Sequence, residues 1–292
     1  MAWQPSPLTL GAAQFGFSYG VANRAGKPSF ERVCAILKAA AAGGVAVLDT
    51  AAAYGDSEKV LGEALRATGL ADRFAIVTKA PPFPDGERDP DGFAERSVAG
   101  SLERLGFSRV AAVLVHRETD WEHWPRLARL AERGWIGEAG VSLDTARFLD
   151  RVADAPVAQI PVNAVDRRFE AFLDAAAARG TRLFARSAYL QGALAMDEAE
   201  LPPYLAELAP AHRLLTEIAR ARGMGRRELC FRYALGRKGV SSVVFGVDDP
   251  EQLRENFAFA AAGPLPEAAM AEIRAAVPAL PETVVRPFHW PK

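Results

Sequence analysis

The feature that most constrains the fold is an eightfold alternation of short apolar runs and longer segments of helical period along the 292 residues. The short runs have the length and composition of buried strands. The predicted strands are Leu8–Ala12, Val45–Leu48, Phe74–Thr78, Val110–Val115, Ile136–Val141, Val157–Val162, Arg182–Arg186 and Ser242–Phe245. Strands that alternate with helices in this way predict a parallel sheet with helical crossovers.

Helical segments separate these strands and follow the last one. Their predicted bounds are Phe30–Ala42, Ser57–Thr68, Gly92–Leu105, Trp124–Arg133, Thr145–Val152, Arg168–Arg179, Ala211–Arg222, Arg227–Leu235 and Pro250–Ala262. We expect Ser142 or Asp144 to cap the helix after the fifth strand. Because no linker interrupts the series, we predict a single α/β domain over residues 1–292, a (β/α)8 TIM barrel. The alternative is an open doubly wound sheet, which the lack of a G-x-G-x-x-G after the first strand disfavours.

Two polar, proline-containing segments interrupt the regular pattern. Residues 81–91 follow the third predicted strand, and residues 196–210 follow the seventh. Loops at the carboxyl ends of barrel strands build the active site, so we predict that both segments cover a substrate. A C-terminal tail follows the last predicted helix.

Charge and composition exclude several classes of partner. The formal net charge is −1, and Lys and Arg are scattered, so we predict no nucleic-acid or membrane partner. The two cysteines, Cys34 and Cys230, form no C-x-x-C motif, and we predict no metal site. The first ten residues lack a signal-like pattern, and the apolar run 39–48 is too short to cross a bilayer. We therefore expect a cytoplasmic protein.

Four ionisable residues of different types follow three consecutive predicted strands. Asp49 and Tyr54 follow the second strand, Lys79 ends the third and His116 ends the fourth. In a barrel these positions meet at one face, so we predict a catalytic cluster. A tyrosine hydroxyl can donate a proton, and a neighbouring ammonium lowers the phenol pKa. We expect Asp49 to keep Lys79 charged and a neutral His116 to donate a hydrogen bond to a carbonyl oxygen.

The residues around this cluster resemble the aldo-keto reductases, and the stretch Phe15–Gly26 most resembles bacterial members of that family. The segment from Asp49 to Glu58 is similar to the D-T-A-x-x-Y-G-x-S-E signature of that family, and Val77–Lys79 and Leu114–His116 are similar to its lysine- and histidine-bearing strands. The resemblance runs from about residue 8 to residue 256. It implies an oxidoreductase that transfers hydride between a nicotinamide cofactor and a small carbonyl or alcohol substrate, an aldehyde, ketone or sugar, with Tyr54 as general acid and base.

The same resemblance implies a set of cofactor-binding residues. Ser142 and Gln159 match positions that bind the nicotinamide amide, and Arg186 and Ser187 match the position of a side chain against the nicotinamide ring. The positions that match the adenosine-binding segment are Gly246, Val247, Asp248, Gln252, Glu255 and Asn256. Members specific for NADPH usually carry Lys or Arg here, whereas this chain has Asp248 and Asp249. Both NADP(H) and NAD(H) therefore stay open.

Aromatic residues after the first and fourth strands are the candidates for substrate contact. These are Phe17, Tyr19 and Trp121. Asn163 either lines the site or caps a turn. Two other functions stay open: a Schiff-base lyase or aldolase with Lys79 as nucleophile, and a non-catalytic barrel that senses cofactor. The pattern leaves the oligomeric state open.

Overall fold

The computed structural model describes residues 3–291. Met1, Ala2 and Lys292, which belong to the predicted domain, lie outside the described residues. The eight strands are β1 (Leu8–Gly11), β2 (Val47–Asp49), β3 (Ala75–Ala80), β4 (Val110–Val115), β5 (Ile136–Ser142), β6 (Val157–Pro161), β7 (Arg182–Arg186) and β8 (Ser242–Phe245). Each strand pairs in parallel with the next, and β8 pairs with β1, so the barrel is closed. The predicted (β/α)8 TIM barrel is confirmed.

The strands are almost entirely buried because side chains pack on both faces of the sheet. Inward-facing residues such as Val77, Leu114 and Phe184 form the interior of the barrel. Inside the barrel, the Thr9 and Ser242 hydroxyls satisfy each other at 2.7 Å. Outward-facing residues join the helices in a larger core. Continuous apolar strands of this kind are typical of a parallel sheet that is covered on both faces.

The helices surround the barrel. They are α1 (Ala13–Gly16), α2 (Phe30–Ala42), α3 (Ser57–Thr68), α4 (Pro90–Leu105), α5 (Trp124–Ala128), α6 (Glu170–Arg179), α7 (Ala209–Arg220), α8 (Arg226–Leu235), α9 (Pro250–Ala261), α10 (Glu267–Ala276) and α11 (Glu282–Val285). Helices α2 and α3 have the predicted bounds. Helix α5 is shorter than predicted and continues as a 3-10 turn over Arg129–Ala131.

The helix predicted after β5 is a 3-10 helix over Ala146–Val152, and its predicted caps are wrong. Ser142 is still part of β5, and the Asp144 side chain binds two arginines instead. The cap is Thr145, whose hydroxyl accepts the Arg147 backbone N–H. Asp144 therefore forms ion pairs with residues distant in the sequence and does not cap the helix that follows it.

The tail forms two further helices, α10 and α11, which pack against a second apolar cluster. This cluster includes Leu205 and Leu208 from the segment 196–210, which is not an open loop but two 3-10 turns, Glu198–Glu200 and Pro203–Leu208. Segment 81–91 is irregular up to Pro90, where α4 begins.

None of the helices within residues 3–291 is long and apolar enough to cross a bilayer. In the same part of the chain, no group of three or more His, Cys, Asp or Glu side chains is arranged to hold a metal ion.

Candidate active site

A tight turn after β2 presents Tyr54 at the carboxyl end of the barrel. The Ser57 hydroxyl donates to the Ala12 carbonyl at 2.7 Å and lies 2.9 Å from the Thr50 hydroxyl, so the turn is tied to β1. Gly16 lies directly against this turn, and a Cβ on it would collide with the Tyr54 carbonyl. The backbone contact therefore requires glycine at position 16 and fixes the height of Tyr54 above the barrel.

The glutamate of the same segment has a structural role. Glu58 is buried, and its carboxylate accepts from the Thr78 hydroxyl at 2.6 Å and from Arg104 Nε at 2.8 Å. These bonds satisfy both carboxylate oxygens and tie α3 to β3 and α4. The segment from Asp49 to Glu58 thus contains two buried carboxylates, at its first and last residues, and the turn that presents Tyr54.

A buried ion pair lies beneath the turn. Lys79 is fully buried, and its ammonium donates to the two Asp49 oxygens at 2.8 and 2.7 Å and to the Thr50 carbonyl at 2.8 Å. All three N–H groups of the ammonium are therefore used. Gln159 Nε2 donates to Asp49 Oδ1 at 2.8 Å, so the carboxylate is also well satisfied. A buried pair is stable only when it is hydrogen-bonded in this way.

Tyr54 and His116 lie above this pair. The Lys79 ammonium is 5.0 Å from the centroid of the Tyr54 ring. The His116 ring meets Tyr54 edge-on, with centroids 5.3 Å apart and an interplanar angle of 82°. The structure thus brings together the four residues predicted to form the catalytic cluster, although they come from three different strand ends.

The expected decrease in the pKa of Tyr54 is wrong for this arrangement. Burial and the Asp49 carboxylate raise the pKa of the Tyr54 hydroxyl above its usual 10.0. The cation that opposes this rise is Arg186, because the charge of Lys79 is balanced by Asp49. The phenol is consequently protonated at neutral pH and can donate a proton.

The other two titratable groups respond mainly to burial. Burial lowers the pKa of Lys79, and the contact with Asp49 opposes that decrease. Burial also lowers the pKa of His116 to about 3, and the positive charges of Lys79 and Arg186 add to the effect. This direction agrees with the prediction of a neutral His116 imidazole.

A cleft of about 360 Å³ opens beside Tyr54 and extends along the loops after β1, β7 and β8. Most of the predicted cofactor residues line it, namely Gln159, Arg186, Ser187, Gly246, Asp248, Gln252 and Asn256. Three others do not: Ser142 and Val247 are buried beside the cleft, and Glu255 forms an ion pair with Arg227, which does line it.

The loop after β7 forms one wall of the cleft, and its unusual backbone was not predicted from the sequence. Ser187, Leu190 and Gln191 have φ values of 63°, 47° and 53°, the left-handed region that non-glycine residues rarely adopt. The Gln191 carbonyl accepts the Val21 N–H at 3.0 Å, so the loop after β1 crosses this wall. Strained backbone of this kind concentrates at binding sites. The residue types give no sign of it, because none of the three is a glycine.

Arg186 is held at the edge of the site by a charged network. Its guanidinium donates to Asp144 Oδ1 at 2.9 Å and to the Leu143 carbonyl at 3.1 Å. Asp144 Oδ2 accepts from Arg286 of the tail at 2.7 Å. The tail therefore helps to fix the side chain that faces Tyr54.

The predicted substrate residues separate into two groups. Tyr19 lines the cleft, whereas Phe17 does not line it but packs edge-on against Tyr19 at 5.7 Å and lies 6.2 Å from the Tyr54 ring. Burial and Tyr54 raise the pKa of Tyr19 to about 12. Trp121 instead packs on the core with Arg151 over its ring, and it does not line the cleft.

Asn163 caps a turn and does not face the cleft. Its Oδ1 accepts the backbone N–H groups of Val165 and Asp166, and its Nδ2 donates to the Ser187 carbonyl at 3.1 Å. Asn163 therefore stabilises the strained loop after β7 by its hydrogen bond to the Ser187 carbonyl.

Two known proteins are similar to this chain in sequence. Over 161 residues the chain is 32% identical to an aldo-keto reductase of Strobilurus tenacellus, a span that covers 53% of this chain but only 46% of that protein. It is 26% identical over 234 residues to the L-galactose dehydrogenase of Arabidopsis thaliana, 74% of this chain and 73% of that protein.

A solved structure shows the same fold over nearly the whole chain. The aldo-keto reductase of Bacillus halodurans, solved in its holo form, matches with a TM-score of 0.79 over 97% of this chain and 96% of that chain. The two sequences are 21% identical, so this likeness shows the fold alone. The profile of the Aldo/keto reductase family matches residues 7–278. The chain belongs to the aldo/keto reductase family.

Proposed function

We propose that this protein is a nicotinamide-dependent oxidoreductase that interconverts a small carbonyl compound and its alcohol, with Tyr54 as general acid and base. The observation that carries the proposal is the arrangement of Tyr54 over the buried Asp49–Lys79 pair, with His116 at the edge of its ring and an open cleft beside it. Family membership supports nicotinamide-linked chemistry on carbonyl compounds.

The residues of the cleft fit a nicotinamide dinucleotide. Near Tyr54, Gln159 uses its Nε2 on Asp49, which leaves its carbonyl oxygen free to accept from a carboxamide. At the other end, the cleft is lined by Asn256 and by Arg227, whose buried Nε has no hydrogen-bond partner among residues 3–291. Asn256 Oδ1 accepts from the Tyr189 hydroxyl at 2.6 Å, which fixes the amide in place. We expect Gln159 and Ser187 to hold the nicotinamide end and Gln252 and Asn256 the adenosine end.

The chain supplies the proton chemistry. A bound nicotinamide dinucleotide supplies or accepts the hydride. In reduction, the Tyr54 hydroxyl donates its proton to the substrate oxygen as negative charge develops there, and the phenolate then regains a proton from water. In oxidation, the phenolate takes the proton from the alcohol. Arg186 stabilises the phenolate by its charge, and the neutral His116 imidazole can orient the substrate oxygen with a hydrogen bond.

Two alternatives are less consistent with the site. A Schiff-base lyase needs a free amine, but the Lys79 ammonium uses all three of its N–H groups and lies beneath the cleft floor. A barrel that only senses cofactor needs no proton donor, whereas Tyr54 is held over a costly buried charge pair.

The test is turnover by Tyr54→Phe. We expect kcat to fall by about two to four orders of magnitude, because the proton donor is lost. The assay panel contains aldehydes with reduced dinucleotide, and sugars and polyols with oxidised dinucleotide, since one relative is named as an L-galactose dehydrogenase. Cofactor affinity, measured by calorimetry, should change less than threefold.

Tyr204→Phe is the matched control, because this tyrosine is exposed and packs near Trp290, away from the cleft. Near-normal turnover in Tyr54→Phe would disprove the assigned role. No turnover by the unmodified protein with any panel member, together with no dinucleotide binding, would disprove the proposed function.

A further inference from the structure

Two adjacent carboxylates after β8 have different environments. Asp249 caps α9: its Oδ1 accepts the backbone N–H groups of Glu251 and Gln252 at 2.8 and 3.0 Å. Asp248 makes no such cap and lines the cleft. Helix capping therefore explains the aspartate at position 249, but it does not explain the aspartate at position 248.

One hydrogen bond fixes the Asp248 carboxylate and a second fixes its backbone. Asn23 Nδ2, from the loop after β1, donates to Asp248 Oδ1 at 3.2 Å. Gln252 Oε1 accepts the Asp248 backbone N–H at 2.9 Å, so the Gln252 side chain lies against the same turn. Burial raises the pKa of Asp248, as expected of a carboxylate that faces a cleft rather than bulk water. The group is preorganised to accept hydrogen bonds from a ligand.

The cations that line the cleft already pair with carboxylates. Among the described residues, the cleft is lined by two cations, Arg186 and Arg227. Arg186 is bound to Asp144, and Arg227 pairs with Glu255 at 2.7 Å. Arg32 acts on Asp248 through its charge, but it is exposed on α2 and does not line the cleft.

We propose, building on the proposed function, that Asp248 makes this cleft select NAD(H) over NADP(H). A carboxylate accepts two hydrogen bonds from the vicinal hydroxyls of an adenosine ribose. A 2′-phosphate at that position would place two or three negative charges within a few ångströms, and the two guanidiniums that line the cleft already pair with carboxylates. Asp248 is thus a specificity-determining residue, and Asn23 is its positioning residue.

The test is calorimetric titration of the full-length protein with NADH and NADPH, and of two matched variants. We expect the unmodified protein to bind NADH at least about tenfold more tightly than NADPH. Asp248→Asn keeps the shape and removes the charge, so the preference should fall by roughly tenfold or more. Asp249→Asn removes a neighbouring charge and retains a good cap residue, so it should leave the preference within about twofold. Circular dichroism and thermal unfolding establish that both variants are folded.

The outcomes separate this inference from the proposed function. Tighter binding of NADPH than of NADH, or an unchanged preference in Asp248→Asn, would overturn the role of Asp248 and leave the oxidoreductase intact. If Asp249→Asn lost as much of the preference for NADH as Asp248→Asn, the overall negative charge of this segment, and not the Asp248 side chain, would select the dinucleotide. That result would also overturn the role of Asp248. Failure to bind either dinucleotide would instead count against the proposed function.

Discussion

The Asp49–Lys79 pair shows how single residues create a reactive site inside an apolar barrel. Moving two charges out of water is costly, and their attraction offsets that cost only with good geometry and further hydrogen bonds. Here Gln159 and the Thr50 carbonyl supply those bonds. The pair is therefore locked in place, and Tyr54 and His116 lie against a fixed charge distribution.

The pH behaviour of His116 follows from the same burial. Its pKa of about 3 lies below the 6.5 of an ordinary histidine, so the folded protein binds fewer protons than the unfolded chain between these values. Stability from this group should therefore rise as the pH increases from about 3 to 6.5 and stay constant above that range. We expect the assigned imidazole signals of His116 to show no titration in an NMR series between about pH 5 and 8.

The four histidines can be distinguished with a His116→Gln variant, whose spectrum lacks the relevant signals. A midpoint near 6.5 for His116 would contradict the neutral imidazole and with it the proposed hydrogen-bond donor.

At the level of elements, the turn between β2 and α3 depends on close backbone packing against α1. Gly16, the last residue of α1, has no room for a methyl group, because the nearest atoms are the backbone of Tyr54 and Ser57. Backbone atoms cannot rotate away as a side chain can, so any enlargement must displace the turn that carries Tyr54.

We expect Gly16→Ala to lower the free energy of unfolding by about 1–3 kcal/mol, the usual cost of overpacking. It should also lower kcat/KM by about tenfold or more, because an error of about 1 Å in position costs that much or more. Urea unfolding and steady-state kinetics on the best panel substrate measure the two effects.

Gly100→Ala is the control, and we expect it to change the free energy of unfolding in the opposite direction. This glycine lies inside α4, and a Cβ there would meet only the flexible end of the Arg104 side chain. Alanine should stabilise the helix by up to about 1 kcal/mol without an effect on turnover. Equal stability and activity in Gly16→Ala would show that the turn can shift freely.

For the whole molecule, the C-terminal tail packs against the segment 196–210. Val284, Val285 and Trp290 are buried in the second apolar cluster, and Trp290 Nε1 donates to the Val284 carbonyl at 3.0 Å. Arg286 of the tail also donates a hydrogen bond to Asp144, and Asp144 in turn binds Arg186 at the edge of the site. The same segment therefore contributes to stability and to the site.

We expect Trp290→Ala to lower the free energy of unfolding by about 3–5 kcal/mol, since it removes a large buried ring. Phe288→Ala is the matched control: this ring is 79% exposed in the same tail, and its loss should change stability by less than about 0.5 kcal/mol. Denaturant unfolding of both variants gives the comparison. Similar effects of the two substitutions would mean that the tail is not packed as described.

The sequence alone determined the fold class, the approximate strand positions and the four residues of the cluster, Asp49, Tyr54, Lys79 and His116. Buried parallel strands produce apolar runs, and the carboxyl ends of barrel strands must meet at one face, so local pattern is sufficient for these features. The tertiary structure decided the rest. Asp144 binds two arginines from distant segments instead of capping a helix, and Trp121 packs on the core instead of lining the cleft. The pKa of Tyr54 rises rather than falls, because it depends on burial and on the summed charge of residues far apart in the chain, which no local pattern contains.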